Sequence, residues 1–146
     1  MSTQPDHLIY ATNDLQRGAE EIARLLGVSV HPGGSHPGFG TRNAIVPLGP
    51  RCYLEVIGPD PEQADFEGER LFGIDDLDHG KLVHWCVERD NLADFVARAR
   101  SRGTSVSDPV PMSRQTAEGT TLSWELAFPS RFGEPHPVPF FIDWGD

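Results

Sequence analysis

The chain has 146 residues, of which 38% are hydrophobic and 23% are charged, and this size and composition are typical of one globular domain. The formal net charge of −10 at pH 7 argues against a general nucleic-acid-binding protein, because such proteins need a basic face. No apolar run approaches the length of a membrane span, and the polar start of the chain lacks a signal-type apolar stretch. We therefore expect a cytoplasmic protein without nucleic-acid or membrane partners.

The residue pattern in the first half of the chain predicts five elements in the order strand, helix, loop, strand, strand. Residues 7–12 are apolar and partly β-branched, which is typical of a strand, and residues 15–26 place their apolar side chains on one helical stripe. Residues 31–40 are so rich in glycine and proline that we expect a loop. Residues 41–49 and 51–58 then predict two strands that are joined by a tight antiparallel turn.

The second half repeats this order after an acidic, aperiodic stretch, which we interpret as a linker across the surface. A strand is predicted at residues 81–88, and a helix follows it with its apolar stripe at residues 92–99. Three strands follow the helix, at residues 104–112, 120–128 and 138–145.

The two halves also contain similar sequence segments. HLIYATNDL starts at His7 and HWCVERDNL starts at His84, and each segment leads from a strand pattern into a helix pattern. We infer an internal duplication of one βαβββ unit, because repeats of this size usually pair into one pseudo-symmetric body. We place module one at about residues 6–59, the linker at about 60–80 and module two at about 81–146, within a single domain of residues 1–146.

Each predicted module puts one imidazole and one carboxylate on the face that points away from its helix, because side chains alternate along a strand. These residues are His7 and Glu55 in the first half, and His84 and Asp143 in the second. Two imidazoles and two carboxylates suit a divalent Zn, Mn, Fe, Ni or Co ion and leave positions open for water or substrate. The alternative is that these residues are hydrogen-bonded strand positions and that any ligand binds without a metal.

If the two sheets curl around a common cleft at these four residues, other side chains are candidates for roles around it. His36 lies in the glycine-rich loop, which could close and deliver it as an acid or base. A surface turn with an incidental histidine is the simpler interpretation. Apolar side chains that could line the cleft are Tyr53, Phe141, Trp124 and Ile9.

The sequence resembles the vicinal oxygen chelate superfamily, and within it the glyoxalase-like domain group. The resemblance rests on DHLIYATND, GTRNAIVPLG with YLEVIG, LVHWCVERDNL and PFFIDWG, and it covers nearly the whole chain. It implies an α+β fold in which two paired βαβββ modules form a partly open barrel around a cleft. It also implies metal ligands on the first and last strands of each module, at His7, Glu55, His84 and Asp143.

The sequence departs from that family pattern at Asp143, where glyoxalase I usually has glutamate or glutamine. Aspartate is one methylene shorter, so it could fall short of the ion. His7, His84 and Glu55 would then resemble the facial triad of non-haem iron oxygenases.

Our leading hypothesis is a divalent-metal-dependent lyase or isomerase that acts on a small-molecule substrate through an enolate-like intermediate. Glu55, Asp143 or His36 would move the proton. Two alternatives stay open: a metal-free protein that binds or sequesters a small molecule such as an antibiotic, and an Fe(II)-dependent dioxygenase. The superfamily contains all three, and the fold does not choose among them. The cleft lies either within one chain or across a homodimer.

Overall fold

Eight strands form one mixed sheet that closes into a barrel in the computed structural model, which describes residues 5–145. The strands are β1 (Pro5–Ala11), β2 (His31–His36), β3 (Thr41–Gly49), β4 (Cys52–Pro59), β5 (Lys81–Glu88), β6 (Val110–Thr116), β7 (Thr121–Ala127) and β8 (Phe140–Asp143). Their order around the barrel is β1, β4, β3, β2, β6, β7, β8, β5. The prediction of an α+β fold with a barrel is therefore confirmed, whereas the pairing of two βαβββ modules and their boundaries stay a prediction.

Two α-helices cover the outside of the barrel. They are α1 (Leu15–Leu26) and α2 (Leu92–Ser101). Helix α1 begins where the Asp14 side chain accepts a hydrogen bond from the Arg17 amide at 3.1 Å, and it ends at Gly27, whose φ of 64° suits glycine. One apolar cluster lies under each helix, and a third fills the barrel interior.

Strand β2 closes the barrel, although we predicted a loop at this position and a partly open barrel. It pairs with β3 on one side and with β6 on the other, where Gly34 faces Thr116 and Ser35 faces Gln115. A Cβ atom on Gly34 would lie 1.9 Å from the Gln115 carbonyl oxygen, so the missing side chain permits this close approach. The glycines that suggested a loop are what lets the strand fit.

The predicted surface linker reaches into the barrel interior. It contains the short 3₁₀ segments Pro61–Gln63 and Leu71–Asp76, and the second of these buries Leu71, Phe72 and Ile74 almost completely. Phe72 has a φ of 63°, a left-handed conformation that is uncommon for a residue with a large side chain. These apolar side chains pack inside the barrel and hold the segment there. The acidic residues around them are the reason that we predicted a surface position. Neither helix of residues 5–145 has the length and apolar character that a membrane span requires.

Candidate active site

The barrel encloses a small cavity, which we call the barrel cavity. Its volume is about 30 Å³, which is enough for about two water molecules. Its polar lining consists of His7, His36, Asn43, Tyr53, Glu55 and Arg114. The sequence-predicted residues that line it are His7, His36, Tyr53, Glu55 and Trp124. Apolar walls with a few convergent polar groups are typical of small-molecule sites.

Glu55 is the central carboxylate of this cavity, and it is only 7% exposed. It points inward because its neighbours on β4, Leu54 and Val56, pack under α1 on the other face. Its Oε1 accepts a hydrogen bond from Asn43 Nδ2 at 2.8 Å, and its Oε2 lies 3.5 Å from His7 Nε2. The carboxylate is therefore held in place from two sides.

His7 is oriented by a carboxylate that sequence reasoning missed. Its Nδ1 lies 2.5 Å from Asp6 Oδ1, and the other Asp6 oxygen accepts a hydrogen bond from Trp144 Nε1 at 3.1 Å. His7 Nε2 is the nitrogen that faces Glu55, and the Asp6 acceptor favours the tautomer that carries its proton on Nδ1. A shift in the β1–β5 register between Pro5 and His7 lets two successive side chains meet here, and no sequence pattern signals such a shift.

His36 joins the cavity from the end of β2 and not from a mobile loop. Its Nδ1 lies 2.9 Å from Thr41 Oγ1, and its Nε2 lies 3.3 Å from Asn43 Nδ2. Burial lowers the pKa of His36 below its ordinary 6.5, while the Glu55 charge opposes this shift. A neutral ring explains the contacts, because Asn43 can then donate one hydrogen to Glu55 and the other to His36 Nε2. A polar residue inside the apolar run of β3 was the available signal for Asn43.

His84 is buried but does not line the barrel cavity. Its ring contacts Phe72 and Phe140, at centroid distances of 6.1 Å and 5.0 Å. Its Nε2 has no hydrogen-bond partner among residues 5–145. Burial is the largest cause that lowers the pKa of His84 to about 4. The Phe140 ring also contacts the His7 ring, at 5.4 Å, so the two predicted imidazole ligands share an aromatic neighbour.

Asp143 and Phe141 lie on the outside of the barrel, and the prediction that they face the cleft is wrong. Asp143 Oδ2 accepts a hydrogen bond from the Leu92 amide at 3.0 Å, at the start of α2, and Oδ1 accepts one from the Gly145 amide at 2.9 Å. Phe141 packs against Phe95 of α2 with ring centroids 4.6 Å apart. Phe140 and Ile142 are the inward residues of β8.

Ile9 also lies apart from the cavity lining. It is fully buried in the apolar cluster of the barrel interior, so it supports the wall without reaching the space. Trp124 and Trp144 stand at the edge of the barrel cavity, and their rings are 5.3 Å apart. Both also line an outer groove of about 740 Å³. The tryptophan pair therefore separates the small inner space from a much larger outer one.

The donor atoms do not assemble the predicted four-residue metal site, because Asp143 is committed to α2. Within the described part of the chain, the group that could hold a metal ion is Asp6, His7 and Cys86, whose donor atoms lie within 4.8 Å of one another. Burial raises the pKa of the Cys86 thiol well above its ordinary 9.0, and a thiol must lose its proton to bind a metal. Asp6 already accepts hydrogen bonds from His7 and Trp144.

The sequence profile of the family described as Glyoxalase-like domain matches residues 6–146 of this chain. This match confirms the resemblance to the vicinal oxygen chelate fold. A comparison with curated proteins finds no match.

Solved structures share the fold at low sequence identity. A hypothetical protein from Staphylococcus aureus superposes with a TM-score of 0.74 at 22% identity, over 97% of this chain and 59% of its own length. Streptomyces coelicolor methylmalonyl-CoA epimerase in complex with 2-nitronate-propionyl-CoA gives a TM-score of 0.60 at 19% identity, over 98% and 95% of the two chains. Methylmalonyl-CoA epimerase from Mycobacterium tuberculosis gives 0.58 at 16% identity, over 98% and 90%. These similarities show the fold alone.

Proposed function

This chain belongs to the glyoxalase-like domain family, and we propose that it is an isomerase or lyase that moves a proton at a carbon next to a carbonyl group. The observation that carries the proposal is the Glu55 carboxylate, which is buried in the wall of the barrel cavity and held by Asn43 within reach of His7. A carboxylate in such a position can act as a general base. The structural similarity to two methylmalonyl-CoA epimerases supports an isomerase in particular.

Glu55, His7 and Asp6 lie in a row, and this arrangement suits a transfer of the proton from the substrate. Glu55 takes the proton as the C–H bond breaks, and the bonding electrons move onto the carbonyl oxygen to give an enolate-like intermediate. His7 Nε2 lies 3.5 Å from Glu55 and can share that proton, because Asp6 stabilises the ring as it becomes charged. An isomerase then returns the proton to the substrate at another position or face, and a lyase expels a leaving group instead.

The predicted divalent ion has no step in this proposal. Its four predicted ligands do not converge, since Asp143 accepts a hydrogen bond from the Leu92 amide of α2 and His84 lies outside the cavity lining. His36 is a positioning residue here, because its neutral ring helps Asn43 to hold Glu55.

Proton exchange in heavy water tests the proposal. A panel of small 2-oxo acids, 3-oxo acids and their thioesters is incubated with the protein, and loss of the C–H signal is followed by NMR. We expect catalysed exchange with at least one compound, and Glu55→Gln should slow it by about 100-fold or more. Glu118→Gln is the matched control, because Glu118 is exposed on the turn between β6 and β7.

Two outcomes would refute it. Exchange that is equally fast in Glu55→Gln would remove Glu55 from the reaction. Tight binding of a panel compound without any exchange would favour the metal-free binding protein. Exchange that is equally fast without oxygen would also dismiss the dioxygenase alternative.

A further inference from the structure

We propose that Arg114 binds a carboxylate group of the substrate inside the barrel cavity, so that the substrate is a small carbonyl acid. This inference rests on the proposed function, because it concerns the same cavity. It adds a substrate class that neither the fold nor the carboxylate at Glu55 specifies.

Arg114 forms no ion pair with any carboxylate of the described residues 5–145. Its Nε is buried and has no hydrogen-bond partner among residues 5–145. No carboxylate of those residues lies within 4.0 Å of its guanidinium, although the chain has 22 acidic residues and 12 basic ones. Arg70, by contrast, pairs with Asp75 and donates to the Gly40 carbonyl oxygen. A guanidinium that the fold leaves unpaired in a cavity wall is available to a ligand.

The position of Arg114 is built by its neighbours. It lies on β6, two residues beyond Met112, and both side chains line the barrel cavity. Gly34 of the paired strand makes room for the arginine stem, because a Cβ atom there would lie 2.9 Å from Arg114 Cγ. The Arg114 charge acts on other side chains of the cavity. Burial is the largest cause of the pKa shifts of His36 and Tyr53, and the nearby Arg114 charge lowers the pKa of each.

A carboxylate is the anion that fits these conditions. The guanidinium presents a planar fork of donors that matches a carboxylate with two parallel hydrogen bonds. A bound carboxylate would also supply the partner that Nε lacks among residues 5–145, and charge-assisted bidentate hydrogen bonds of this kind are stronger than neutral ones. Remaining atoms of a larger substrate would lie past the tryptophan pair, in the outer groove.

Calorimetry with acids and their neutral amides tests the proposal without any turnover. The probes are acetate, pyruvate and malonate, each compared with acetamide, pyruvamide and malonamide. We expect at least one acid to bind the wild type tenfold or more tightly than its amide. Arg114→Gln should weaken that acid by tenfold or more, which is about 1.4 kcal/mol. Arg24→Gln is the matched control, since Arg24 is exposed on α1.

Thermal unfolding separates loss of binding from loss of folding. Arg114→Gln removes a partly buried charge that has no carboxylate partner among residues 5–145, so its unfolding midpoint should equal or exceed that of the wild type. Arg114→Lys keeps the charge but loses the fork, and it should bind the acid with an intermediate affinity. The proposal is overturned if no acid is preferred over its amide, or if Arg114→Gln binds the acid as well as the wild type does. Either result leaves the proton-exchange test of Glu55 unaffected.

Discussion

His84 should make the stability of this protein depend on pH between neutral and mildly acidic conditions. The buried ring contacts two phenylalanines, and its Nε2 has no partner among the described residues. Burial is the main cause that lowers the folded-state pKa to about 4, whereas the ring titrates at about 6.5 in the unfolded chain. The unfolded state therefore binds the proton more readily. Stability is fully present above the unfolded pKa and is lost as the pH falls toward 4.

The size of the effect follows from the two pKa values. At about pH 5 the unfolded ring is almost entirely protonated, and the folded ring is almost entirely neutral. The resulting loss is about 2 kcal/mol relative to about pH 7.5. His84→Gln cannot titrate, so its free energy of unfolding should fall by about 2 kcal/mol less than that of the wild type over the same interval.

Urea unfolding at the two pH values measures this difference on protein dialysed against a chelator. Any cost of placing glutamine in the buried position occurs at both pH values and cancels. His31→Gln serves as the control, because His31 is exposed at the start of β2. Equal pH responses in the wild type and His84→Gln would show that burial of His84 does not suppress its protonation.

Two substitutions test the parts of the fold where the structure differs from our predictions. Asp143→Ala removes the acceptor for the Leu92 and Gly145 amides, so urea unfolding should show a loss of about 1–2 kcal/mol in the free energy of unfolding. Elemental analysis should find the same metal content as in the wild type, and a drop in metal content would restore Asp143 as a ligand. Asp65→Ala is the control, because Asp65 is exposed, and it should change the free energy of unfolding by less than about 0.5 kcal/mol. Gly34→Ala drives a Cβ atom toward the Gln115 carbonyl oxygen, so hydrogen exchange at the β2 and β6 amides should become faster. Gly27→Ala has open space around its Cβ and should cost only about 1 kcal/mol without affecting those amides; unchanged exchange in Gly34→Ala would mean that the strands tolerate the wider spacing.

The sequence predicted the faces of β4 correctly because polar and apolar side chains alternate there. Glu55 stands between Leu54 and Val56, so only one face can be apolar enough to pack under α1. The run PFFIDWG of β8 carries large apolar side chains at successive positions, and alternation cannot decide which of them point inward. Contact with α2 decides it, and this depends on tertiary packing.

Other parts of the site depend on contacts between distant segments. Strand β2 has the composition of a loop, and it is a strand only because β3 and β6 both offer it hydrogen-bonding partners. Asp6 meets His7 through a register shift with β5. Nothing in the sequence around Arg114 marks it as a cavity residue, and only the barrel fold places its side chain in the cavity wall.

The two junctions that join the halves of the barrel are unequal in length. Strands β1 and β5 pair along most of their length, whereas β2 and β6 pair through Gly34 and Ser35. Because the β2–β6 junction has fewer paired residues than the β1–β5 junction, we expect it to open first in local unfolding. Arg114 lies beside that junction, and Glu55 belongs to the opposite half of the chain. A substrate whose carboxylate binds Arg114 and whose C–H group lies at Glu55 would connect the two halves, so we expect occupancy of the cavity and closure of the barrel to be coupled.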